Sequence, residues 1–339
     1  MKAGDRPLTP RASTRRAVLR ALGAMSATLG AAGFGAAAHA ATAAATAAVT
    51  ATTAAKNQTA AEAPSRIVVL SWPLTEMLLS LGVAPVGLPA PVWYTSSIVE
   101  PPLPAGIVDV GLLFQPNYDL LYALRPDLML ITPAHASVRA SFERIAPTLT
   151  LGAYMTDPQP YRAMRGEVLT LGQRLGRTAQ AEALLTRTEA AIAQARASLA
   201  GAHAPLCVAQ IVDDRHLRVY GAGSMFDEIL QSLGLRNAAA EQTAGTRSPL
   251  ISSGTGASVV ELERLAQIPD ANLLWIDGGA HGAFAGLQRN PVWRQLPFAQ
   301  PGRAATLPVI SAQGALVSVQ RFARAVAHAL PSMENSHAL

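Results

Sequence analysis

The side chains of this sequence that could perform catalysis do not form any familiar catalytic motif. The sequence contains no G-x-S-x-G segment, no H-E-x-x-H segment and no glycine-rich phosphate loop. The segment G-A-G-S-M from Gly221 comes nearest, but it lacks the final glycine that the sharp turn of a nucleophile elbow requires. We therefore predict that the chain is not an enzyme, and a secreted hydrolase is disfavoured.

Histidines are the second group of chemically active side chains, and their spacing does not favour a site for a bare metal ion. Such a site needs three histidine or carboxylate ligands that converge in space. Six of the seven histidines lie at separated positions: His135, His203, His216, His281, His328 and His337. A zinc or manganese site is therefore the less favoured alternative.

The single cysteine, Cys207, lies in an apolar run from Pro205 to Val212. One thiol cannot form a disulfide within its own chain, and free cysteine is among the residue types most often found in protein cores. We expect Cys207 to be buried and structural.

The elements that would position these side chains are short apolar strands alternating with helices, and the pattern occurs twice. The first half has strand patterns at 66–70, 128–131 and 148–151 and helix patterns ending at 81 and over 117–124. The second half has strand patterns at 207–213 and 272–277 and helix patterns at 226–233 and 259–267. This alternation predicts parallel sheets covered on both faces. We predict an α/β fold of two Rossmann-like lobes with central, mostly parallel sheets.

A helical stretch over residues 158–200 lies between the halves, and Gly176 divides it. Its second part, 178–199, has apolar residues at helical spacing and contains no glycine or proline. A helix of that length is about 30 Å long. We predict a rigid connection between the lobes rather than a flexible hinge.

The N-terminal segment has the features of an export signal. A twin arginine, Arg15 and Arg16, precedes an apolar stretch without acidic residues that ends in Ala38-His39-Ala40. Its alanine- and glycine-rich composition is too weakly apolar for a convincing membrane span. We predict a twin-arginine signal peptide over 1–40 and a periplasmic location.

The segment after the signal is almost pure alanine and threonine and predicts a disordered linker over 41–64. Removal of the signal leaves 21 of the 27 basic and 21 of the 22 acidic residues, so the high isoelectric point of 9.8 belongs to the leader. A neutral chain with few aromatic residues does not predict nucleic-acid binding. The predicted domains are an N-terminal lobe over 65–177, a connecting helix over 178–200 and a C-terminal lobe over 201–335.

Between Arg66 and about Ala329 the chain resembles the ferrichrome-binding periplasmic protein family. This family belongs to the helical-backbone class of solute-binding proteins, which serve ABC importers of iron siderophores, haem and cobalamin. The resemblance rests on an ordered set of segments, beginning with R-I-V-V-L-S-W-P-L-T-E-M-L-L-S-L-G-V and E-P-P-L-P-A-G-I-V-D-V-G: 66–83, 100–111, 115–121, 125–130, 144–147, 213–221, 224–230, 261–266 and 290–298.

The resemblance implies a monomer that captures a ferric siderophore between its lobes and delivers it to permease subunits in the inner membrane. It implies no resident cofactor and no metal ligand from the protein, because the siderophore itself holds the iron. Haem, cobalamin or a bare metal ion remain alternative cargoes of the same fold. The cleft positions that it implies are Trp72, Thr95, His135, Thr255, Ala257, Ser311 and Gln313.

At these positions the chain departs from hydroxamate-binding members of the family. Those proteins have an arginine at the position of Thr95, and aromatic residues at the positions of His135, Thr255, Ser311 and Gln313. Of the cleft groups of those proteins, the chain keeps the tryptophan, Trp72.

Nearby residues could replace the missing groups. Trp93 and Tyr94 flank the position of the lost arginine, and a Gly/Ser-rich loop over 241–256 contains Arg247. An arginine among hydroxyl groups could hold a carboxylate or catecholate oxygen.

The resemblance also implies one acidic residue on each lobe that docks onto arginines of the permease. Glu263 matches this position in the second lobe. In the first lobe Ala140 occupies the acidic position, and Glu143 follows one helical turn later, where it can substitute.

Overall fold

The computed structural model describes residues 63–199, 201–240, 250, 256–278 and 283–337. The strands are β1 (Ile67–Val69), β2 (Gly87–Leu88), β3 (Val108–Asp109), β4 (Gly111–Leu112), β5 (Gln115–Pro116), β6 (Leu128–Ile131), β7 (Thr148–Thr150), β8 (Leu206–Ile211), β9 (His216–Tyr220), β10 (Ala257–Glu261), β11 (Asn272–Ile276) and β12 (Ala304–Leu307). The α-helices are α1 (Trp72–Ser80), α2 (Pro91–Ser97), α3 (Tyr118–Leu124), α4 (Arg139–Phe142), α5 (Pro160–Arg174), α6 (Thr178–Ser198), α7 (Met225–Ser232), α8 (Ala283–Arg289), α9 (Pro291–Gln295) and α10 (Leu316–His337). Short 3-10 helices cover Pro133–Val138, Ala153–Thr156, Leu262–Gln267 and Pro297–Ala299.

The first lobe is built on an all-parallel sheet in the order β3-β2-β1-β6-β7. Every residue of β1 and β6 is buried, as expected for strands with helices on both faces. Alternate residues of β1 pack on opposite faces: Ile67 and Val69 on one, Val68 on the other. The prediction of a parallel α/β lobe is confirmed here.

The second sheet has the order β10-β9-β8-β11-β12, in which β8, β11 and β12 are parallel and β9 and β10 are antiparallel to their neighbours. The predicted helix over 259–267 was wrong in its first part. Val259 and Val260 belong to β10, and a 3-10 helix follows over Leu262–Gln267. Two adjacent β-branched residues fit the pairing of β10 with β9 better than a helical turn.

The helical stretch between the lobes forms α5 and α6, close to the predicted division. Helix α6 contains 21 residues and buries Ala181, Leu184, Ile192 and Ala195 along one side. It lies against α5 and α10, so it is packed along its length rather than spanning solvent.

One continuous apolar core joins the two lobes. Ile67 and Val69 of the first sheet belong to the same buried cluster as Val208 and Leu274 of the second sheet. Moving one lobe relative to the other would therefore separate packed apolar surfaces, at a cost of about 25 cal/mol for each Å² exposed.

A buried carboxylate adds a polar link between the lobes. Glu76 on α1 is fully buried and accepts hydrogen bonds at 2.8 Å from the backbone N–H groups of Ala315 and Ser318 and from the Ser318 hydroxyl. These N–H groups lie at the start of α10, where a helix leaves its N–H groups unpaired and favours negative charge. Gly314 makes the space, because a Cβ there would lie 2.9 Å from Glu76 Oε2.

A second carboxylate makes the reciprocal link. Glu228 on α7, in the second lobe, accepts hydrogen bonds from the backbone N–H groups of Tyr161 at 2.7 Å and Arg162 at 3.2 Å, in the first turn of α5. Each lobe therefore supplies a carboxylate to a helix N-terminus across the boundary.

Glu76 gives a testable pH dependence. Burial raises the pKa of its carboxyl from 4.5 to about 7, although hydrogen bonds from Ala315 and Ser318 and the charge of Arg321 act to lower it. Between pH 4.5 and 7 the folded protein keeps this proton while the unfolded chain loses it, so the free energy of unfolding falls as the pH rises. In Glu76→Gln the fall between pH 5 and pH 8, measured by urea unfolding, should be smaller by about 2 to 3 kcal/mol.

Glu143→Gln is the matched control for that measurement. Glu143 is exposed, and hydrogen bonds from Arg139 and Thr148 lower the pKa of its carboxyl, so its titration ends below this pH window. Equal pH slopes in the wild type and Glu76→Gln would show that Glu76 does not titrate in the folded protein.

The shared core and the continuous α6 predict a small lobe movement on ligand binding. Each broken backbone hydrogen bond costs about 1 kcal/mol, so kinking one turn of α6 would consume several kcal/mol of a binding free energy of about 8 to 12 kcal/mol. Solution scattering with and without a saturating ferric siderophore should give nearly the same radius of gyration. A decrease of the size expected for closure of the lobes would contradict this stiffness.

Candidate ligand-binding site

Four aromatic rings follow neighbouring strands of the first sheet, at the edge where those strands end. Trp72 follows β1, Trp93 lies in α2 after β2, Phe114 lies in the β4–β5 hairpin after β3, and His135 follows β6. Because parallel strands end at one edge of their sheet, all four belong to the same edge. Open α/β sheets bind ligands at this edge.

Trp72 and Trp93 form a stacked pair at the centre of the edge. Their ring centroids are 5.9 Å apart and their planes differ by 8°. Trp72 is half-buried and donates its indole N–H to the carbonyl oxygen of Pro89 at 2.8 Å, whereas 62% of Trp93 is exposed. Trp72 therefore anchors the pair and Trp93 presents its ring to solvent.

His135 is buried rather than presented to a ligand. Its Nδ1 accepts from the backbone N–H of Thr132 at 3.2 Å, so its Nε2 carries the proton and donates to the carbonyl oxygen of Leu113 at 3.1 Å. The ring also lies 5.4 Å from that of Phe114. The structure thus places His135 beneath the β4–β5 hairpin, where it holds the exposed Phe114 in position.

The structure does not bring Tyr94 to the surface, although the sequence suggested it as a ligand contact. Its ring is fully buried against Leu88 and Ile98, and its hydroxyl donates to the carbonyl oxygen of Pro101 at 2.7 Å. Burial raises the pKa of this hydroxyl, with a further contribution from Glu76. Residues 93 and 94 are adjacent in α2, and the turn of the helix sends one side chain outward and the other inward.

Thr95 is exposed on α2 and donates its hydroxyl to the carbonyl oxygen of Val92 at 2.8 Å. This hydroxyl is therefore bonded within its own helix, and the threonine side chain carries no positive charge. The first-lobe edge is instead apolar. Its most exposed large side chains are Val92, Trp93, Leu112 and Phe114, between 62% and 75% exposed.

Leu112 and Phe114 were not recognised from the sequence as surface residues. The signal was available in G-L-L-F-Q, where an apolar run occupies a segment with a turn-like glycine at its start. Such a run also fits a buried strand, and the fold alone shows that it forms the tip of a short hairpin.

The second lobe contributes the loop after β12. Ser311 is partly exposed and Gln313 is exposed, and the Ser311 hydroxyl accepts from the Gln313 backbone N–H at 3.3 Å. The hydroxyl of Tyr154, which follows β7, donates to the carbonyl oxygen of Gln313 at 3.1 Å. This bond shows that the carboxyl edges of the two sheets meet, and it places Gln313 beside the first lobe.

Two predicted site residues and two predicted segments lie wholly or mostly outside the described residues. Arg247 and Thr255 belong to this group, as do the predicted signal peptide over 1–40 and most of the predicted linker over 41–64. Cys207 is buried as expected, and burial raises the pKa of its thiol to about 12.

The two acids suggested for permease docking are both exposed. Glu143 accepts hydrogen bonds from Arg139 Nε at 2.6 Å and from the Thr148 hydroxyl at 3.0 Å. Glu263 lies on the 3-10 helix after β10, in the second lobe.

Across the described ranges, no group of three or more histidine, cysteine, aspartate or glutamate residues is arranged to hold a metal ion. In the same part of the chain, no helix combines the length and apolar character needed to cross a membrane.

Comparison with known proteins identifies the family. Residues 67–309 match the periplasmic binding protein family. The chain belongs to this family. It is 30% identical to the iron(3+)-hydroxamate-binding protein FhuD of Escherichia coli strain K12 over 272 residues, which is 80% of this chain and 88% of that protein.

Solved structures agree with this assignment. The siderophore-binding protein FhuD of Vibrio cholerae, crystallised with Fe3+-Desferal, matches with a TM-score of 0.71 and 25% identity over 79% of this chain and 98% of that one. SirA of Staphylococcus aureus, solved with staphyloferrin B, matches with a TM-score of 0.56 over 80% of this chain and 94% of that one. At 18% identity, the second match shows the fold alone.

The tryptophan pair provides a direct test of this surface. Trp93→Ala should weaken the binding of a ferric siderophore by about 1 to 3 kcal/mol, the value of a lost aromatic contact, and should leave the unfolding temperature nearly unchanged. Trp72→Ala should lower both the binding affinity and the unfolding temperature, because Trp72 also packs against the core. Binding is measured by calorimetric titration, because both substitutions remove a tryptophan that a fluorescence assay would use as its reporter.

Tyr122→Ala is the control for this experiment. Tyr122 is 52% exposed, but it lies near the end of α3, toward the opposite edge of the sheet. Equal affinities of Trp93→Ala, Tyr122→Ala and the wild type would exclude the tryptophan pair from the binding surface.

Proposed function

We propose that this chain is the solute-binding protein of an ABC importer, which captures a ferric siderophore in the periplasm and delivers it to the inner-membrane permease. The exposed aromatic edge carries the proposal. It presents Trp93 and Phe114 at the edge where this fold binds ligands, in a chain 30% identical to an iron(3+)-hydroxamate-binding protein. On this proposal the protein acts as a monomer, has no resident cofactor and catalyses no reaction.

A chelated metal suits the described residues better than a bare ion. They contain no cluster of potential metal ligands, so iron would arrive already coordinated by its chelator. A siderophore is large and has apolar arms, and exposed aromatic rings bind such surfaces with specific geometry. Stiffly joined lobes suit a bulky cargo that occupies the cleft without full closure.

The cargo differs from ferrichrome on this proposal. Thr95 stands where hydroxamate binders have an arginine, and Ser311 and Gln313 stand where they have aromatic residues. A neutral tris-hydroxamate would lose its main hydrogen-bond donor and much of its stacking surface. An anionic chelate would still find arginine side chains, with Arg247 as one candidate.

We also propose the route and the partner. The twin arginine at Arg15 and Arg16 supports export through the twin-arginine pathway to the periplasm. Glu143 and Glu263 would dock onto arginines of the permease, one from each lobe. Glu143 already accepts a hydrogen bond from Arg139, and docking would exchange that intramolecular partner for one on the permease.

A binding panel tests the function. The purified protein is titrated by calorimetry with ferrichrome, ferric citrate, a ferric tris-catecholate, haem, cobalamin and zinc chloride. We expect micromolar to nanomolar affinity for a ferric chelate other than ferrichrome, and no binding of zinc. Tight binding of haem, cobalamin or zinc, with no response to any ferric siderophore, would overturn the proposed cargo. Nanomolar binding of ferrichrome would overturn the argument from Thr95.

A further inference from the structure

Strand β9 carries an arginine on the face of the second sheet that is turned toward the first lobe. Tyr220 of β9 and Val208 of β8 belong to the core cluster that both lobes share. Side chains two residues apart on a strand share a face. Arg218 and Gln210 therefore lie on that same face, two residues further along each strand, and Arg218 is exposed.

This part of the face is open to solvent rather than covered. The residue opposite Arg218 on β10 is Val259, which is 54% exposed. Directly opposed residues share a sheet face, so Arg218 and Val259 together mark where the apolar packing ends. Arg218 and Val259 therefore form an exposed strip beyond the packed core.

Gln210 holds the arginine in place. Its Oε1 accepts from Arg218 Nη1 at 3.2 Å and from the Tyr220 hydroxyl at 3.3 Å. On its other side lies Gly278, where an added Cβ would be 3.4 Å from Gln210 Nε2. Gly278 therefore lies close beside the amide of Gln210. The guanidinium keeps further N–H groups for a ligand, since it has five donors in a fixed fork.

Among the described residues, no acid forms an ion pair with Arg218 that would compensate its charge. Its cross-strand neighbours are Gln210 and Val259, and no carboxylate of the described residues forms an ion pair with it. Arg139, Arg165 and Arg321 are by contrast each paired with a glutamate. An arginine that pairs with no carboxylate of the described residues, and that Gln210 holds in place, is available to an anion.

Arg218 also lies toward the end of the sheet that meets the first lobe. Gln210 is in register with Ile276, and Ile276 with Leu307, the last residue of β12. The loop that follows β12 includes Gln313, whose carbonyl oxygen is bound by Tyr154 of the first lobe. Three spacings of about 4.8 Å separate β9 from β12, so Arg218 lies about 15 Å from Leu307 across the sheet. A bulky chelate can span this distance.

We propose that Arg218, positioned by Gln210, is a specificity-determining contact of this binding site and selects ferric chelates that carry carboxylate or catecholate oxygens over neutral ones. This inference rests on the proposed function. It assigns the apolar contacts to the first lobe, through Trp93 and Phe114, and the cationic contact to the second lobe.

The test compares Arg218→Gln and Arg218→Lys with the wild type by calorimetric titration. The probes are ferric citrate and a ferric tris-catecholate as anionic chelates and ferrichrome as the neutral one. Arg218→Gln should weaken the binding of the anionic chelates about 10- to 100-fold, as expected for a lost hydrogen bond to a charged group, and should change ferrichrome binding less than twofold. Arg218→Lys should fall between them, because it keeps the charge but loses the two-pronged geometry.

Arg215→Gln is the matched control. Arg215 is exposed in the turn between β8 and β9, three residues from Arg218 and outside the strip. It should bind every probe as the wild type does. Arg247→Gln is measured alongside, and a loss of anionic binding there instead of in Arg218→Gln would overturn the inference.

The outcomes separate this inference from the proposed function. Equal binding of anionic chelates by Arg218→Gln, Arg215→Gln and the wild type would overturn the role of Arg218 and leave siderophore binding intact. A wild type that binds no ferric chelate would overturn both. Thermal unfolding of Arg218→Gln should match the wild type, because the side chain is exposed.

Discussion

The arrangement of the two lobes depends on a carboxylate that is buried between them. Glu76 leaves α1 of the first lobe and receives three hydrogen bonds at the start of α10, where N–H groups would otherwise have no partner. Removing water from a carboxylate is expensive, and the raised pKa of Glu76 reflects that cost. Glu228 makes the reciprocal link to α5, and the apolar core is continuous between these two contacts. In each lobe, one helix N-terminus receives its carboxylate partner from the other lobe. These two contacts hold the lobes in one relative position.

That link also sets the dimensions of the ligand site. Trp72 begins α1 one helical turn before Glu76, and Gln313 lies two residues before Ala315, which donates to Glu76. The aromatic edge of the first lobe and the loop of the second lobe are therefore attached to opposite sides of one hydrogen-bonded contact. Binding energy need not be used to bring the two surfaces together, which is an advantage of preorganised sites.

The family fold leaves the chemical groups at the edges of the sheets free to vary. The first-lobe edge presents the exposed rings of Trp93 and Phe114, and the Thr95 hydroxyl there bonds to its own helix. On our proposal, Arg218 supplies the cationic contact from the second lobe. A fold shared with hydroxamate binders thus says little about which chelate this chain selects, since selection depends on a few side chains at the edges of the sheets.

The sequence by itself determined the elements with the strongest local patterns. The apolar runs of β1, β6, β8 and β11 predicted buried strands, and the uninterrupted helical spacing predicted α6, because hydrophobic periodicity is a local signal. The repeated alternation of strands and helices predicted two α/β lobes, and the resemblance to a known family supplied the approximate position of the site. The local signal failed in β10, where one residue of five is buried, and the segment had been predicted as the start of a helix. Only the tertiary structure decided that Tyr94 and His135 are buried while Trp93, Phe114 and Arg218 face outward. The direction of a side chain depends on the register of its strand and on what packs above it, and neither is encoded by the residue and its immediate neighbours.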